Sequence, residues 1–421
     1  MKKSTLVGLL SACVLLGVQF SAAAELPGLV VPDALGVNIH FTDPKPGEME
    51  MLARSGVRWV RMDFGWNATE GEKGHYDFAA YDRLMTLLDA NKIRFLAALC
   101  YSSPLYDKGL PPSSDEGRAA FARWAVAAAH HFHNRGIVWE MWNEPDIERF
   151  WPPKADVKAY SQLALAVGKA LRAAEPGELY IGPALAKTNF AFTESCFRAG
   201  LLEYWSAVSV HPYRHAEPET VTFDYGRLRR LIDKYAPKDK NIPIISGEWG
   251  YPTVWKNMNE AKQGKLLPRQ WLTNLASGVP LSIWYDWHDD GLDPKEMEHH
   301  FGLVRHPYLS GQTPVYQPKP AYLAAQTLSR VLSGYRFQKR LAVGTPHDYV
   351  MAFAKEKDDV RLVVWTTAAA PHTIVIPTPA GRYTATDHVG QNVPPRVADA
   401  KGLAIVLTDA PTYLVPERPS H

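Results

Sequence analysis

Eight times between residues 35 and 335, a short apolar run gives way to a longer stretch with helical spacing. The runs over 35–41, 59–66, 93–101, 137–144, 179–186, 207–213, 243–249 and 281–287 predict strands. The stretch 77–92 sets Phe78, Tyr81, Leu84 and Leu88 on one face, which is the stripe of a surface helix. Comparable spacing predicts helices over 116–133, 157–174, 225–235, 269–277 and 321–332. Eight βα units in about 300 residues point to a closed (β/α)8 barrel rather than an open doubly wound sheet. No GxGxxG follows the first strand and no GxxxxGK[ST] occurs, so nucleotide-binding readings are weak.

The character changes near residue 335. Short alternating runs follow over 349–354, 360–366, 373–376, 383–387, 403–407 and 412–415, punctuated by Gly, Pro and Asp. The expected layout is a barrel over 25–334 and a small all-β sandwich over 335–421. No stripe of exposed aromatics marks the second part as a carbohydrate-binding module, so a structural domain packed on the barrel is the better reading.

Residues 1–24 have the pattern of an export leader: MKKS, then the apolar run LVGLLSACVLLGVQF, then the small residues SAAA. The apolar run falls short of the ~20 residues a membrane span needs. Cys13 sits within that run, and a lipid anchor there is the minor alternative to simple export to the periplasm or medium. Loss of Lys2 and Lys3 with the leader lowers the formal charge from +2 to 0. That balance gives no reason to expect nucleic acid or an anionic membrane as partner. Cys100 and Cys196 lie in apolar contexts without CxxC or Cys/His spacing. Two core thiols are expected, although sequence alone leaves a disulfide between them open.

In a barrel of this kind, chemistry sits at the C-terminal ends of the strands. Two of those ends carry a glutamate: Trp142-Asn143-Glu144-Pro145 on the fourth and Gly247-Glu248-Trp249-Gly250 on the seventh. Both would project into the barrel mouth. Two facing carboxyls are the working parts of glycoside hydrolysis, one protonated to assist the leaving oxygen and one ionised to attack. Asn143 is suited to bind a sugar hydroxyl. Arg61, ending the second strand, is a cation suited to lie beneath the ionised group. Tyr213, in His211-Pro212-Tyr213, is a donor to it.

At this point the chain resembles the large clan of retaining (β/α)8 glycoside hydrolases, and among them family 39 most. WEMWNEPD resembles the clan's acid/base motif and ISGEWGYP its nucleophile strand. The segment GWNATEGEKGHYDFAAYDRLMTLL, the strand VSVHPY and Trp284 fit as well. The resemblance implies Glu144 as acid/base and Glu248 as nucleophile. It extends over about residues 35–335 and leaves the sugar unspecified.

Aromatic rings stack on pyranose faces. Trp66, Trp249, Trp284 and Trp287 are the expected substrate-contacting rings, with His211 beside them; Tyr101, Trp142, Trp151, Tyr251 and Trp255 are further loop-face candidates. Trp151 and Trp255 would favour an extended, endo-acting groove. The loop WHDDGLDPKEMEHHFGL (287–303) is rich in His and acids, but its spacing matches no metal motif, so a substrate-contacting or solvated loop is expected and no metal or cofactor. A monomeric glycosidase acting on an oligo- or polysaccharide, such as an exopolysaccharide, is the leading expectation. A non-catalytic polysaccharide binder, an exo-acting β-xylosidase-like enzyme and transglycosylation are the alternatives.

Overall fold

The computed structural model describes residues 25–356 and 359–417. The leader over 1–24, with Cys13, lies outside the described residues.

Eight parallel strands close into a barrel: β1 (Leu35–Asn38), β2 (Trp59–Gly65), β3 (Arg94–Cys100), β4 (Val138–Met141), β5 (Leu179–Ala186), β6 (Val208–His211), β7 (Ile244–Ser246) and β8 (Ser282–Trp284). Neighbours follow chain order all the way round, and β1 pairs with both β2 and β8. A helix succeeds each strand: α1 (Glu48–Arg54), α2 (Ala79–Ala90), α3 (Asp115–His131), α4 (Val157–Ala174), α5 (Phe190–Arg198), α6 (Val221–Tyr235), α7 (Glu260–Ala276) and α8 (Pro320–Val331). Helix α7 starts at Glu260, well before the expected 269, and runs through Pro268. Proline reads as a helix breaker in sequence. Here the first turn is held by the Asn259 side chain, which accepts from the Lys262 amide at 2.8 Å.

Strand side chains alternate between barrel interior and helix layer. Trp59, Leu96, Val138, Ile181, Ile245 and Ile283 form an apolar plug inside the barrel. Gly36 on β1 completes this layer because nothing larger fits; an added Cβ would lie 2.4 Å from Ile283 and 2.7 Å from Trp59. Two residues further along β2, β4, β6 and β7, the same parity brings in Arg61, Glu140, Ser209 and Gly247. The plug therefore supports a polar layer directly below the C-terminal mouth.

The C-terminal strands are β9 (Arg336–Arg340), β10 (Asp348–Ala354), β11 (Val360–Thr366), β12 (His372–Ile376), β13 (Gly381–Asp387), β14 (Asn392–Ala398), β15 (Leu403–Leu407) and β16 (Thr412–Pro416). Six of them form an antiparallel sheet in the order β9-β10-β11-β16-β13-β14, and β12 pairs with β15 as a ribbon. The sequence pattern misses β9 and β14, which are the two edges of the sheet. RFQKR on β9 has little apolar alternation, and β14 carries Pro394 and Pro395, which are tolerated at an edge.

The period of two explains how this sheet is buried on both sides. Val350, Ala352, Leu362, Val364 and Leu414 pack against Ile374, Ile376, Ile405 and Leu407 of the ribbon. Their neighbours Met351, Phe353, Val363, Trp365 and Tyr413 face the other way and join the core of the barrel's helix layer. Buried at this junction, Arg269 of α7 donates to Glu219 through Nε (2.7 Å) and Nη2 (2.8 Å), and Trp365 Nε1 donates to the same carboxylate at 2.7 Å. Among the described residues, no helix is long and apolar enough to cross a membrane. Glu219→Ala would leave the Trp365 N–H without its acceptor and Arg269 with Glu217, 2.6 Å from Nη2, as its carboxylate partner. The expected loss is about 1–3 kcal/mol, the range for leaving a buried donor unsatisfied, read as a lowered midpoint in thermal or urea unfolding.

Candidate active site

The C-terminal strand ends open on a cleft of about 610 Å³, lined among others by Arg61, Tyr101, Asn143, Glu144, Tyr213, Glu248, Trp255 and Tyr285. This is an ordinary volume for a small-molecule or glycosyl site. Glu144 does not extend strand β4, as its sequence run suggested. The strand ends at Met141, and the chain then turns through Trp142 (φ 68°) and Glu144 (φ 47°). Left-handed backbone at such residues costs of order 1–3 kcal/mol each and persists only where surroundings enforce it. The enforcement comes from strands on either side: Trp142 N–H donates to Leu99 O (3.1 Å) and Glu144 N–H to Ala184 O (2.9 Å).

Below the mouth, Arg61 is 2% exposed and spends its guanidinium on four partners. Nε donates to Glu140 Oε2 at 2.7 Å, Nη1 to Glu248 Oε2 at 2.7 Å and Asn38 Oδ1 at 3.2 Å, and Nη2 to Asn143 Oδ1 at 2.9 Å. The far oxygen of Glu140 accepts from Ser209 Oγ. Glu248 Oε1 accepts from the Tyr213 hydroxyl at 2.8 Å. Glu144 has a sparser set: its Oε1 lies 3.1 Å from His211 Nδ1, and the same nitrogen is 4.0 Å from Glu248 Oε2. One oxygen of Glu144, one of Glu248 and a His211 nitrogen lie within 4.8 Å of one another.

This arrangement separates two carboxyls that burial would otherwise treat alike. Burial raises the Glu144 carboxyl to about 7, with Arg61 and Arg149 pulling down and Glu298 pushing up. Burial also raises Glu248, but Arg61 and the Tyr213 hydroxyl oppose it there. Two short donor contacts on Glu248 against one longer contact on Glu144 decide the matter: in this coupled pair the shared proton rests on Glu144. His211 is held neutral by burial, so its Nδ1 shares a proton with Glu144 rather than adding a full charge.

The tryptophans expected to touch substrate need correction. Trp66, Trp249, Trp284 and Trp287 are all buried in the core and do not line the cleft. Trp284 shows the reason most clearly. Ile283 takes the inward position on β8, so alternation turns Trp284 toward the helix layer, where its Nε1 donates to Phe301 O at 3.3 Å. Trp66 Nε1 donates to Glu70 with its ring stacked on Tyr106, and Trp287 Nε1 donates to Glu48 Oε1 at 2.9 Å. Trp142, Trp151 and Tyr251 are likewise buried. Tyr101 and Trp255 do line the cleft. The sequence reading overlooked Asn38, Glu140, Ser209 and Tyr285. A charge at Glu140, inside the apolar run VWEM, was the available signal. Both Cys100 and Cys196 are buried free thiols.

No protein-family model matches the chain, and no curated protein matches it in sequence. Solved structures do match in fold. A family 39 glycoside hydrolase from the gut symbiont Bacteroides cellulosilyticus WH2 aligns with a TM-score of 0.79 at 24% identity, covering 93% of this chain and 81% of that one. A family 39 enzyme from Xanthomonas axonopodis pv. citri gives 0.68 at 18%, covering 94% and 96%. A family 39 β-xylosidase from Caulobacter crescentus gives 0.66 at 17%, covering 94% and 98%. The chain therefore has the fold of these (β/α)8 glycoside hydrolases, a barrel followed by a β-domain.

Gly247 is the point where strand β7 passes over the polar layer. A Cβ there would sit 2.4 Å from Ser209 Oγ and 2.8 Å from Glu140 Oε1. Gly247→Ala should cost about 1–3 kcal/mol, as overpacking does. A melting curve indistinguishable from the parent would show that this layer has slack.

Proposed function

We propose that the chain is a retaining glycoside hydrolase, with Glu248 as nucleophile and Glu144 as general acid and base. The observation that carries this reading is the pair itself. Oxygens of two carboxyls just past β4 and β7 lie within 4.8 Å of each other, and only one of the two is held by short cationic and phenolic donors. Retaining enzymes separate their carboxyls by about 5–5.5 Å, whereas inverting ones leave about 6.5–9.5 Å for a water.

In the first step Glu248 Oε attacks the anomeric carbon, the glycosidic C–O bond breaks, and Glu144 gives its proton to the departing oxygen. In the second, Glu144 as carboxylate takes a proton from water. The water oxygen bonds to the anomeric carbon and Glu248 is released. Arg61 and Tyr213 hold the Glu248 carboxylate ionised and aimed, and they regain its charge when it leaves. Asn143, tied to Arg61 at 2.9 Å, faces the cleft where a sugar hydroxyl would lie.

The substrate in this reading is an oligo- or polysaccharide, with bacterial exopolysaccharides and the xylosides of the Caulobacter neighbour as first candidates. Trp255, Phe150 and Arg149, which all line the cleft, support a site that takes more than one sugar. Trp151 is buried and lends nothing to an extended groove. Export is part of the proposal and rests on the leader MKKS…SAAA. A carbohydrate-binding protein without activity would have no use for the unequal hydrogen bonding of the pair.

A 2-deoxy-2-fluoro glycoside is expected to label Glu248, found by peptide mapping; labelling elsewhere, or none by any sugar of a wide panel, would defeat the assignment. Glu144→Gln should lower kcat/KM on unactivated glycosides by about 10²–10⁴, with a much smaller loss on aryl glycosides whose leaving groups need no proton. The parent's activity should fall as pH rises through about 7, because the proton that Glu144 must donate is lost there. That basic limb should vanish in Glu144→Gln.

A further inference from the structure

We propose that His40, Asp286 and Asp290 form a binding site for one divalent transition-metal ion on the wall of the cleft. His40 follows β1, and the two aspartates follow β8. Closure of the barrel through the β1–β8 pairing brings them together. His40 Nε2 lies 3.5 Å from Asp286 Oδ2 and 4.0 Å from Asp290 Oδ2, and one donor atom from each residue lies within 4.8 Å of the others. A metal bonded at about 2.0–2.2 Å holds neighbouring ligand atoms roughly 3–3.5 Å apart, so a modest inward shift of Asp290 completes the set.

The second, independent observation is Asp286 itself. It is fully buried, and neither of its carboxylate oxygens receives a hydrogen bond. An ionised carboxylate in that condition is costly, so either a proton or a cation must neutralise it. His40 meets the need only in part, at 3.5 Å. The contrast with Glu144, His211 and Glu248, the other group of comparable spacing, is instructive. There Arg61 and Tyr213 already occupy the Glu248 oxygens at 2.7 and 2.8 Å. Cation-binding capacity left unused is found at Asp286.

Asn38 orients the imidazole. Its Oδ1 accepts from Arg61, which turns Nδ2 toward His40 Nε2 at 3.3 Å. An ion bound at Nε2 would take the place of that contact. His288 Nδ1 stands 3.7 Å from the other oxygen of Asp290, Tyr285 packs edge-on against the His40 ring, and the charge of Asp289 also acts on Asp286. An imidazole must be neutral and a carboxylate ionised to hold a metal, so protons compete with the ion for these three groups.

One imidazole with two carboxylates suits Zn²⁺ or Mn²⁺ better than Ca²⁺ or Mg²⁺, which favour all-oxygen sets. His40 and Asp290 line the cleft, so an ion there has coordination positions that a sugar hydroxyl or carboxylate can fill. The site is separate from the Glu144–Glu248 pair and does not require the hydrolase reading.

The test is calorimetric titration of the full, chelator-stripped chain with ZnCl₂ and with MnCl₂, each in two buffers of different ionisation enthalpy. One equivalent of either ion should bind with proton release and raise the melting temperature. His40→Ala and Asp290→Asn should each weaken binding at least tenfold while melting like the parent without metal. Absence of saturable binding would overturn the proposal. So would binding that survives both substitutions, or that disappears in Glu144→Gln, which would place the ion at the carboxylate pair.

Discussion

The guanidinium of Arg61 is the interaction on which the rest of the site depends. Four strands, or the residues just past them, converge on it: Asn38 on β1, Arg61 itself within β2 rather than at its end, Glu140 on β4 with Asn143 after it, and Glu248 after β7. A charge held at 2% exposure is tolerable only with its full set of partners. The planar fork of arginine can satisfy several at once in fixed directions, which a lysine cannot. Glu140 matters here because it balances Arg61 from below, leaving Nη1 and Nη2 to be aimed upward at the mouth. The apolar plug beneath fixes the height of the whole layer, so carboxylate geometry at the mouth follows from side-chain volume at the floor.

The same layer explains why two glutamates in one cleft take opposite protonation states. Both are nearly buried, and burial alone would keep both neutral. Glu248 stands over the guanidinium and under the Tyr213 hydroxyl; Glu144 is carried off to the side by the left-handed turn at residues 142–144 and meets only His211. Backbone strain on β4 is thus linked to proton placement. The turn leaves one carboxyl without a hydrogen bond from the arginine that holds the other.

Much of this could be read in the sequence, for a definite reason. Barrel strands are short apolar runs flanked by helical stripes, so all eight were visible, and carboxylates at two strand ends stood out against apolar surroundings. The tryptophans were misread because ring size says nothing about parity. Trp284 is one residue out of phase with Ile283, and a single step on a strand moves a ring from barrel to helix layer. The edge strands β9 and β14 escaped because edges carry charge and proline instead of alternating apolar residues. His40 and Asp286 escaped because their juxtaposition exists only once the first and last strands meet.

The central claim is that Glu144 and Glu248 act as a retaining pair. Its most direct test is proton NMR of the first sugar released from an accepted substrate, recorded before the anomers equilibrate. Product with the anomeric configuration of the substrate is the expected result. Product of opposite configuration would mean that water attacks directly, and would contradict the roles given to both glutamates.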